Sequence, residues 1–163
     1  VLLLGVPLLA GARLVLNLID GQVARRTGTA RPWGEVLNEL GDRVADALFI
    51  GGLAFVAAVG PLLALSAVIA ALLASYAGVV ARATGAPRSY GGVMSKPGRM
   101  IVLAVAAPLA FVVGAGWPLV AGAWIILLGS LVTLAQRLRS TWRWHARQPY
   151  DEAGTHDGDG GRP

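Results

Sequence analysis

The chain has 163 residues, of which 55% are hydrophobic and only 14% are charged, and its mean hydropathy is +0.62. A soluble domain could not keep so much apolar surface away from water, so the composition indicates an integral membrane protein. The net charge is +5, but no separate basic domain is present, so nucleic-acid binding is not expected. The chain contains no cysteine, which excludes a disulfide framework and a thiolate site.

Five apolar runs, taken in chain order, predict membrane-spanning helices. A helix needs about 20 residues to cross roughly 30 Å of hydrocarbon, and shorter runs need tilt or a polar extension. The predicted spans are residues 1–19, 45–59, 62–80, 101–115 and 119–134. The predicted fold is an all-α polytopic bundle with five visible transmembrane helices, and a further helix is expected before Val1.

The basic residues are distributed unevenly among the connections between these spans. They lie in the first connection, in the third and after the last span, whereas the second and fourth connections carry none. By the positive-inside rule, the basic connections face the cytoplasm, which favours a bacterial inner-membrane protein with its site on that side. We predict one transmembrane domain over residues 1–148, followed by a disordered, acidic and Gly-rich tail over residues 149–163.

Between the first two spans, residues 17–46 concentrate carboxylate and carboxamide side chains. Two helical stripes are predicted there, one with spacing i, i+3, i+4, i+7 and one with spacing i, i+4, i+8. The first contains Asn17, Asp20, Gly21 and Ala24, and the second contains Asn38, Asp42 and Asp46, with Glu39 beside it. Oxygen ligands without His or Cys suit Mg²⁺ or Mn²⁺, and the planar fork of Arg25 suits phosphate oxygens. The cluster therefore predicts a metal-dependent phosphate or pyrophosphate site.

The spacing of this cluster resembles the signature of the CDP-alcohol phosphatidyltransferase family, Asp-x2-Asp-Gly-x2-Ala-Arg-x8-Gly-x3-Asp-x3-Asp. The chain reads Asn17-x2-Asp20-Gly21-x2-Ala24-Arg25-x8-Gly34-x3-Asn38-x3-Asp42, so six of the eight signature positions match. The resemblance implies the family's six-helix fold, in which the signature bridges the second and third helices. It also implies a homodimer.

The resemblance further implies a reaction and a set of roles. Such enzymes transfer a phosphatidyl group from a CDP-activated lipid, such as CDP-diacylglycerol, to a polar acceptor alcohol and release CMP, which belongs to phospholipid biosynthesis. Asp42 is then the general base and a metal ligand. The other implied metal ligands are Asn17, Asp20 and Asn38, with Glu39 and Asp46 as further candidates. The implied substrate-binding residues are Gly21, Ala24, Arg25, Arg31 and Gly34.

Two departures from the signature leave an alternative open. Asn17 and Asn38 replace family aspartates, so the set of four ligands carries two negative charges instead of four. Either one metal ion binds, or Glu39 and Asp46 supply the missing charge. The alternative function is a non-catalytic member of the fold that binds CDP-lipid or a partner protein.

The third connection and the carboxylate of Asp46 supply the remaining predicted site residues. Lys96 and Arg99 stand at the start of the fourth visible span, where they suit either an anionic acceptor or a lipid phosphate. A carboxylate at Asp46, three turns into a helix, is costly unless it is paired or bound to metal. A salt bridge from Asp46 to Arg13 and a ligand role are both compatible with the sequence.

Overall fold

The computed structural model describes residues 32–87 and 92–148, together with the helical backbone of Ala12. In these ranges the chain is helical throughout its regular elements and has no strand, which confirms the predicted all-α bundle. The elements are α1 (Pro32–Gly51), a short 3₁₀ helix (Gly52–Phe55), α2 (Gly60–Ala83), α3 (Lys96–Val113) and α4 (Trp117–His145).

Three of these helices, α2, α3 and α4, are long and apolar enough to cross a membrane. The span predicted over residues 45–59 is wrong as a single helix, because α1 ends at Gly51 and a 3₁₀ turn follows it. Two adjacent glycines, Gly51 and Gly52, weaken the helix at that point, since glycine loses the most conformational freedom on becoming helical. Apart from Ala12, the span predicted over residues 1–19 lies outside the described residues, so the count of five stays a prediction.

The centre of the bundle is α2, which packs most extensively on α4 and also on α1. Its buried face consists of small side chains, whereas large apolar side chains such as Leu62, Leu65 and Ile69 are exposed. The buried positions of α2 are Ala64, Ala67, Ala70, Ala71, Ala74, Ser75, Ala77, Gly78 and Ala81. Small residues let helix backbones approach closely inside a membrane, while large apolar ones face lipid. The burial pattern is therefore that of a membrane bundle.

The connections between helices separate into two ends of the bundle. At one end, the turn containing Ala58 meets Gly116 so closely that a side chain on Gly116 would overlap Ala58. At the other end, His145 Nε2 lies 3.1 Å from Thr84 Oγ1, which brings the end of α4 to the end of α2. The second and fourth connections, which carry no basic residue, lie at the first end. The described basic segments lie at the second end. This is the alternation that the charge pattern predicts.

A hydroxyl group of α4 anchors the segment that leads into α3. The Met94 N–H donates to Thr133 Oγ1 at 2.8 Å, and the Thr133 hydroxyl donates to the Gly129 carbonyl at 2.8 Å. Thr133 is fully buried. Because Lys96 and Arg99 follow directly, this anchor sets where the start of α3 lies.

Replacing Thr133 with Val should destabilise the protein by about 1–3 kcal/mol, because the buried Met94 N–H would lose its acceptor. At roughly 2–4 °C per kcal/mol for a chain of this size, the thermal midpoint in detergent should fall by about 5 °C. Thr133→Ser keeps the hydroxyl and is the matched control. A Val variant as stable as the Ser variant would contradict this account of the anchor.

Candidate functional site

A cavity of about 380 Å³ opens at the polar end of the bundle, between α1, α2, the start of α3 and one residue of α4. Its walls carry both carboxylates and cations. The lining residues are Glu39, Asp42, Arg43, Ser75, Gly78, Val79, Ser95, Lys96, Pro97, Arg99 and Arg137. We refer to this cavity as the charged pocket.

An ion pair between Asp42 and Lys96 joins the two sides of the charged pocket. Asp42 lies on α1, and Lys96 is the first residue of α3, so the pair links elements that are distant in sequence. Both side chains are largely but not fully buried, which leaves them accessible to a ligand in the pocket. One turn earlier on α1, the Glu39 carboxylate accepts from Arg43 at 2.5 Å.

Deeper in the bundle, a second ion pair is almost completely buried. Arg99 Nη2 donates to Asp46 Oδ2 at 2.6 Å, and the two side chains are 3% and 1% exposed. The same guanidinium lies 3.3 Å from both Ser75 Oγ and the Met94 carbonyl. One side chain therefore connects α1, α2, α3 and the segment before α3. Among the described residues, Arg99 Nε has no hydrogen-bond partner.

Arg137 reaches the charged pocket across the small-residue face of α2. Its Nη1 donates to the Ala74 carbonyl at 2.7 Å, and a Cβ on Gly78 would lie 3.1 Å from that nitrogen. A larger residue at position 78 would therefore displace the guanidinium. From the sequence, Arg137 was only one of the basic residues after the last predicted span, and Ser75 was not predicted as a site residue. The signal for both was the run of Ala, Ser and Gly on α2, which leaves room for a long side chain.

The predicted site residues fall into three groups. Asp42, Glu39, Lys96 and Arg99 line the charged pocket, and Asp46 lies directly behind Arg99. Asn38 is exposed one turn before Asp42, and Gly34 is exposed with nothing within 4 Å of a Cβ built there. The remaining predicted residues lie outside the described residues: Asn17, Asp20, Gly21, Ala24, Arg25 and Arg31.

Asp46 forms an ion pair with Arg99 in the described structure. Arg13, the partner considered from the sequence, lies outside the described residues. The ion pair offsets the desolvation cost of burying the Asp46 carboxylate, since a charge inside a bundle must be paired or bound to metal. A role of Asp46 as a metal ligand stays a prediction.

The donor chemistry of α1 fits a hard divalent cation in part. Within residues 32–87 and 92–148, no three Asp, Glu, His or Cys side chains lie close enough to hold a metal ion. Asn38 and Asp42, at i and i+4, supply one amide and one carboxylate oxygen on neighbouring turns. Mg²⁺ commonly takes one or two carboxylates and completes its shell with water and substrate phosphates, so this set fits as half of a site.

The fold and the pocket together define a polytopic, all-helical membrane protein with a charged pocket at its polar end. The CDP-alcohol phosphatidyltransferase family matches residues 6–135, and the chain belongs to this family. The identification made from the signature over residues 17–42 is thereby confirmed.

Several curated proteins are similar to this chain. A phosphatidylinositol phosphate synthase of Mycobacteroides abscessus is 33% identical over 132 residues, which cover 77% of this chain and 60% of that protein. One from Streptomyces avermitilis is 35% identical over 133 residues, covering 75% and 54%. An archaetidylinositol phosphate synthase of Aeropyrum pernix is 30% identical over 137 residues, covering 81% and 70%. The chain thus spans less than two thirds of the first two relatives.

Proposed function

We propose that this protein transfers a phosphatidyl group from a CDP-activated lipid, such as CDP-diacylglycerol, to a hydroxyl of a phosphorylated polyol, with release of CMP. The charged pocket carries this proposal, because a carboxylate able to accept a proton stands beside cations able to hold a phosphate. Asp42 supplies the first function, and Lys96 with Arg99 supplies the second.

The choice of a phosphorylated acceptor rests on the balance of charge in the pocket. Four basic side chains line it against two carboxylates, Glu39 and Asp42, and Asp46 is paired with Arg99 behind the wall, which leaves an excess of one positive charge. The basic residues are Arg43, Lys96, Arg99 and Arg137. A phosphate monoester carries between one and two negative charges at neutral pH and suits the planar fork of arginine. The relatives named as inositol phosphate lipid synthases support an inositol phosphate as this acceptor.

The CDP half of the donor is assigned to the signature residues that precede α1. We propose that Gly21, Ala24 and Arg25 contact the CDP portion, with Arg31 and Gly34 nearby. Members of this family generally depend on a divalent metal. We propose that Asn17, Asp20, Asn38 and Asp42 hold Mg²⁺ or Mn²⁺. When bound, the metal supplies positive charge that neutralises the pyrophosphate oxygens of the donor.

The proposed reaction is a substitution at the lipid-linked phosphorus of the CDP-activated lipid. Asp42 takes the proton of the acceptor hydroxyl as the new oxygen–phosphorus bond forms. The bond from that phosphorus to the bridging oxygen breaks, and the oxygen leaves with CMP. Lys96 and Arg99 hold the acceptor's own phosphate, which orients its hydroxyl toward Asp42 and removes part of the entropic cost of the encounter.

The decisive experiment measures CMP release and lipid product by mass spectrometry. Purified protein in lipid nanodiscs is given CDP-diacylglycerol and Mg²⁺ with inositol phosphate, with inositol, or with no acceptor. We expect product only with the phosphorylated acceptor, and loss of product when EDTA removes the metal. Binding of CDP-lipid without turnover, across a panel of phosphorylated and plain alcohols, would contradict the proposed activity.

Replacing Lys96 with Gln should raise the KM for the phosphorylated acceptor by roughly tenfold or more, because a charge-assisted contact to phosphate contributes about 1.5–3 kcal/mol. The KM for CDP-lipid should change little. Lys96→Arg keeps the charge and should recover most of the acceptor affinity. If the Gln variant raised the KM values for CDP-lipid and for the acceptor equally, Lys96 would not belong to the acceptor side of the pocket.

The cellular setting is proposed from the same chain. Three apolar helices support a membrane protein, and the basic segments at one end support a cytoplasmic-facing site in a bacterial inner membrane. We propose residues 1–148 as one transmembrane domain with a separate tail at residues 149–163, and a homodimer by resemblance to the family. The family match over residues 6–135 supports the domain limits.

The second candidate function is binding of CDP-lipid or a partner without catalysis. Asn17 and Asn38 favour it, since these amides bring no charge to a divalent cation. Changing both Asn17 and Asn38 to Asp should strengthen metal binding in either case. A gain of turnover from an inactive parent would support the non-catalytic hypothesis for the natural sequence.

A further inference from the structure

A second groove lies at the polar end of the bundle, between the connection after α2 and the last turns of α4. Its volume is about 630 Å³, and it shares no residue with the charged pocket. The lining residues are Ala86, Pro87, Gln136, Arg139, Ser140, Thr141, Arg143, Trp144 and Arg147. We refer to it as the arginine groove. Nothing in the proposed reaction uses it.

Three arginines on one face of α4 and its C-terminal extension give the groove its charge. Arg139, Arg143 and Arg147 are spaced i, i+4, i+8 and are all exposed. In the described part of the chain, none of the three is paired with a carboxylate, and no carboxylate lines the groove. Like charges on neighbouring turns repel one another, so the arrangement is favoured by an anion between the guanidinium groups.

The walls of the arginine groove are held in place. The Trp144 ring lies within 3.7 Å of a Cβ built on Gly85, so the indole packs against the connection after α2. His145 Nε2 contacts Thr84 Oγ1 at 3.1 Å, and the Ala86 N–H donates to the Ala81 carbonyl at 2.9 Å. The first two contacts fix the connection against α4, and the third ties it to the end of α2. The groove is therefore a formed feature and not a row of independent side chains.

The length of α4 sets the depth of the groove in a bilayer. At 1.5 Å per residue, its 29 residues extend about 43 Å, whereas the hydrocarbon core takes roughly 30 Å. About nine residues, from Arg137 to His145, therefore project past the hydrocarbon. The head-group layer adds about 5–8 Å on each side, so Arg139, about 4 Å past the hydrocarbon, lies within this layer. Arg143 starts about 10 Å past the hydrocarbon, and its long side chain is able to reach back to the lipid phosphates. Trp144 lies one residue further out and is of a residue type that is enriched at membrane–water interfaces.

We infer that the arginine groove binds the head group of an anionic phospholipid, with its phosphate between Arg139 and Arg143 and with Arg147 toward the aqueous side. The ligand chemistry is a phosphodiester of net negative charge. The lipid is the source because the inner end of the groove, at Gln136 and Arg139, lies at the depth of the head groups. Binding there is separate from the charged pocket, so this inference stands independently of the proposed reaction.

The test measures lipid retained by the purified full-length chain, using native mass spectrometry with phosphatidylglycerol and phosphatidylcholine in competition. The natural chain should retain phosphatidylglycerol preferentially. Arg143→Gln should weaken this retention roughly fivefold, and the triple change of Arg139, Arg143 and Arg147 to Gln about 100-fold, at about 1 kcal/mol per basic residue. Arg82→Gln is the matched control, because Arg82 is an exposed arginine at the end of α2 that does not line the groove.

Other occupants give different results in the same assay. Retention that is unchanged in the triple variant, or that falls equally in Arg82→Gln, would overturn the inference. Displacement of the lipid by millimolar glycerol 3-phosphate would assign the groove to a soluble phosphate and would also overturn it. Retention that arises only after truncation beyond Gln148 would assign the groove to the acidic tail instead. Circular dichroism checks that each variant keeps its helical content.

Discussion

Replacing Asp42 with Asn should lower turnover by about 10²–10⁴-fold while the affinity for CDP-lipid changes little. The amide has the shape of the carboxylate and still offers an oxygen to a metal ion, but it cannot take a proton from the acceptor hydroxyl. Asp42 is placed for that role because it faces the charged pocket and lies against Lys96, on the side assigned to the acceptor. Single-turnover measurements with bound CDP-lipid separate the chemical step from binding.

The comparison variant for this experiment is Glu39→Gln, which removes one negative charge from the same wall of the pocket. Its carboxylate already accepts from Arg43 at 2.5 Å, so we expect a loss of less than tenfold. Equal losses in the two variants would assign the effect to pocket charge and would contradict a general-base role for Asp42. Restored activity in Asp42→Glu would show that a carboxylate is required and that its position is adjustable.

Replacing Arg99 with Met should destabilise the protein by about 3–5 kcal/mol, because it leaves the Asp46 carboxylate buried without its guanidinium. At roughly 2–4 °C per kcal/mol, the thermal midpoint should fall by about 10 °C or more. Asp46→Leu should cause a loss of similar size, since it leaves the guanidinium buried without its carboxylate. Thermal unfolding in detergent, followed by far-ultraviolet circular dichroism, measures both.

The double variant Asp46→Leu with Arg99→Met separates stability from function. Removing both charges puts an apolar contact in place of the ion pair. Proteins in which a buried ion pair is replaced in this way are often as stable as the original. We expect the double variant to recover most of the lost stability and still bind the phosphorylated acceptor poorly. Recovery of full acceptor affinity would show that Arg99 serves the fold alone. Failure to recover stability would show that the hydrogen bonds of Arg99 to Ser75 and the Met94 carbonyl matter more than its charge.

Much of the architecture could be predicted from local pattern. The apolar runs predicted α2, α3 and α4, and all but one of the helix ends lie within about five residues of the predicted ends. An uninterrupted apolar run has few alternatives to a buried or membrane helix. The polar extension of α4 to His145 was longer than the run ending at residue 134, since Arg and Gln continue a helix without being apolar. The break after Gly51 was missed because residues 45–59 are apolar apart from Asp46, and hydropathy does not register a glycine pair.

Sequence spacing also identified the family and one side of the site. The signature over residues 17–42 depends on residues close together in the chain, so it could be recognised without a fold. The residues that pair with Asp42 and Asp46 could not be recognised in this way, since they come from another helix. Lys96 lies 54 positions after Asp42, and Arg99 lies 53 positions after Asp46. Several basic residues were available to pair with either carboxylate, and the charge pattern alone did not choose among them.

The sequence by itself determined that this is an all-helical membrane protein of the CDP-alcohol phosphatidyltransferase family, because hydropathy and a closely spaced signature are local properties. Only the tertiary structure decided which cations meet which carboxylates, that Arg99 is a buried connection between helices, and that Arg137 crosses α2 into the pocket. These are contacts between distant segments, and they depend on how closely the small-residue face of α2 lets its neighbours approach.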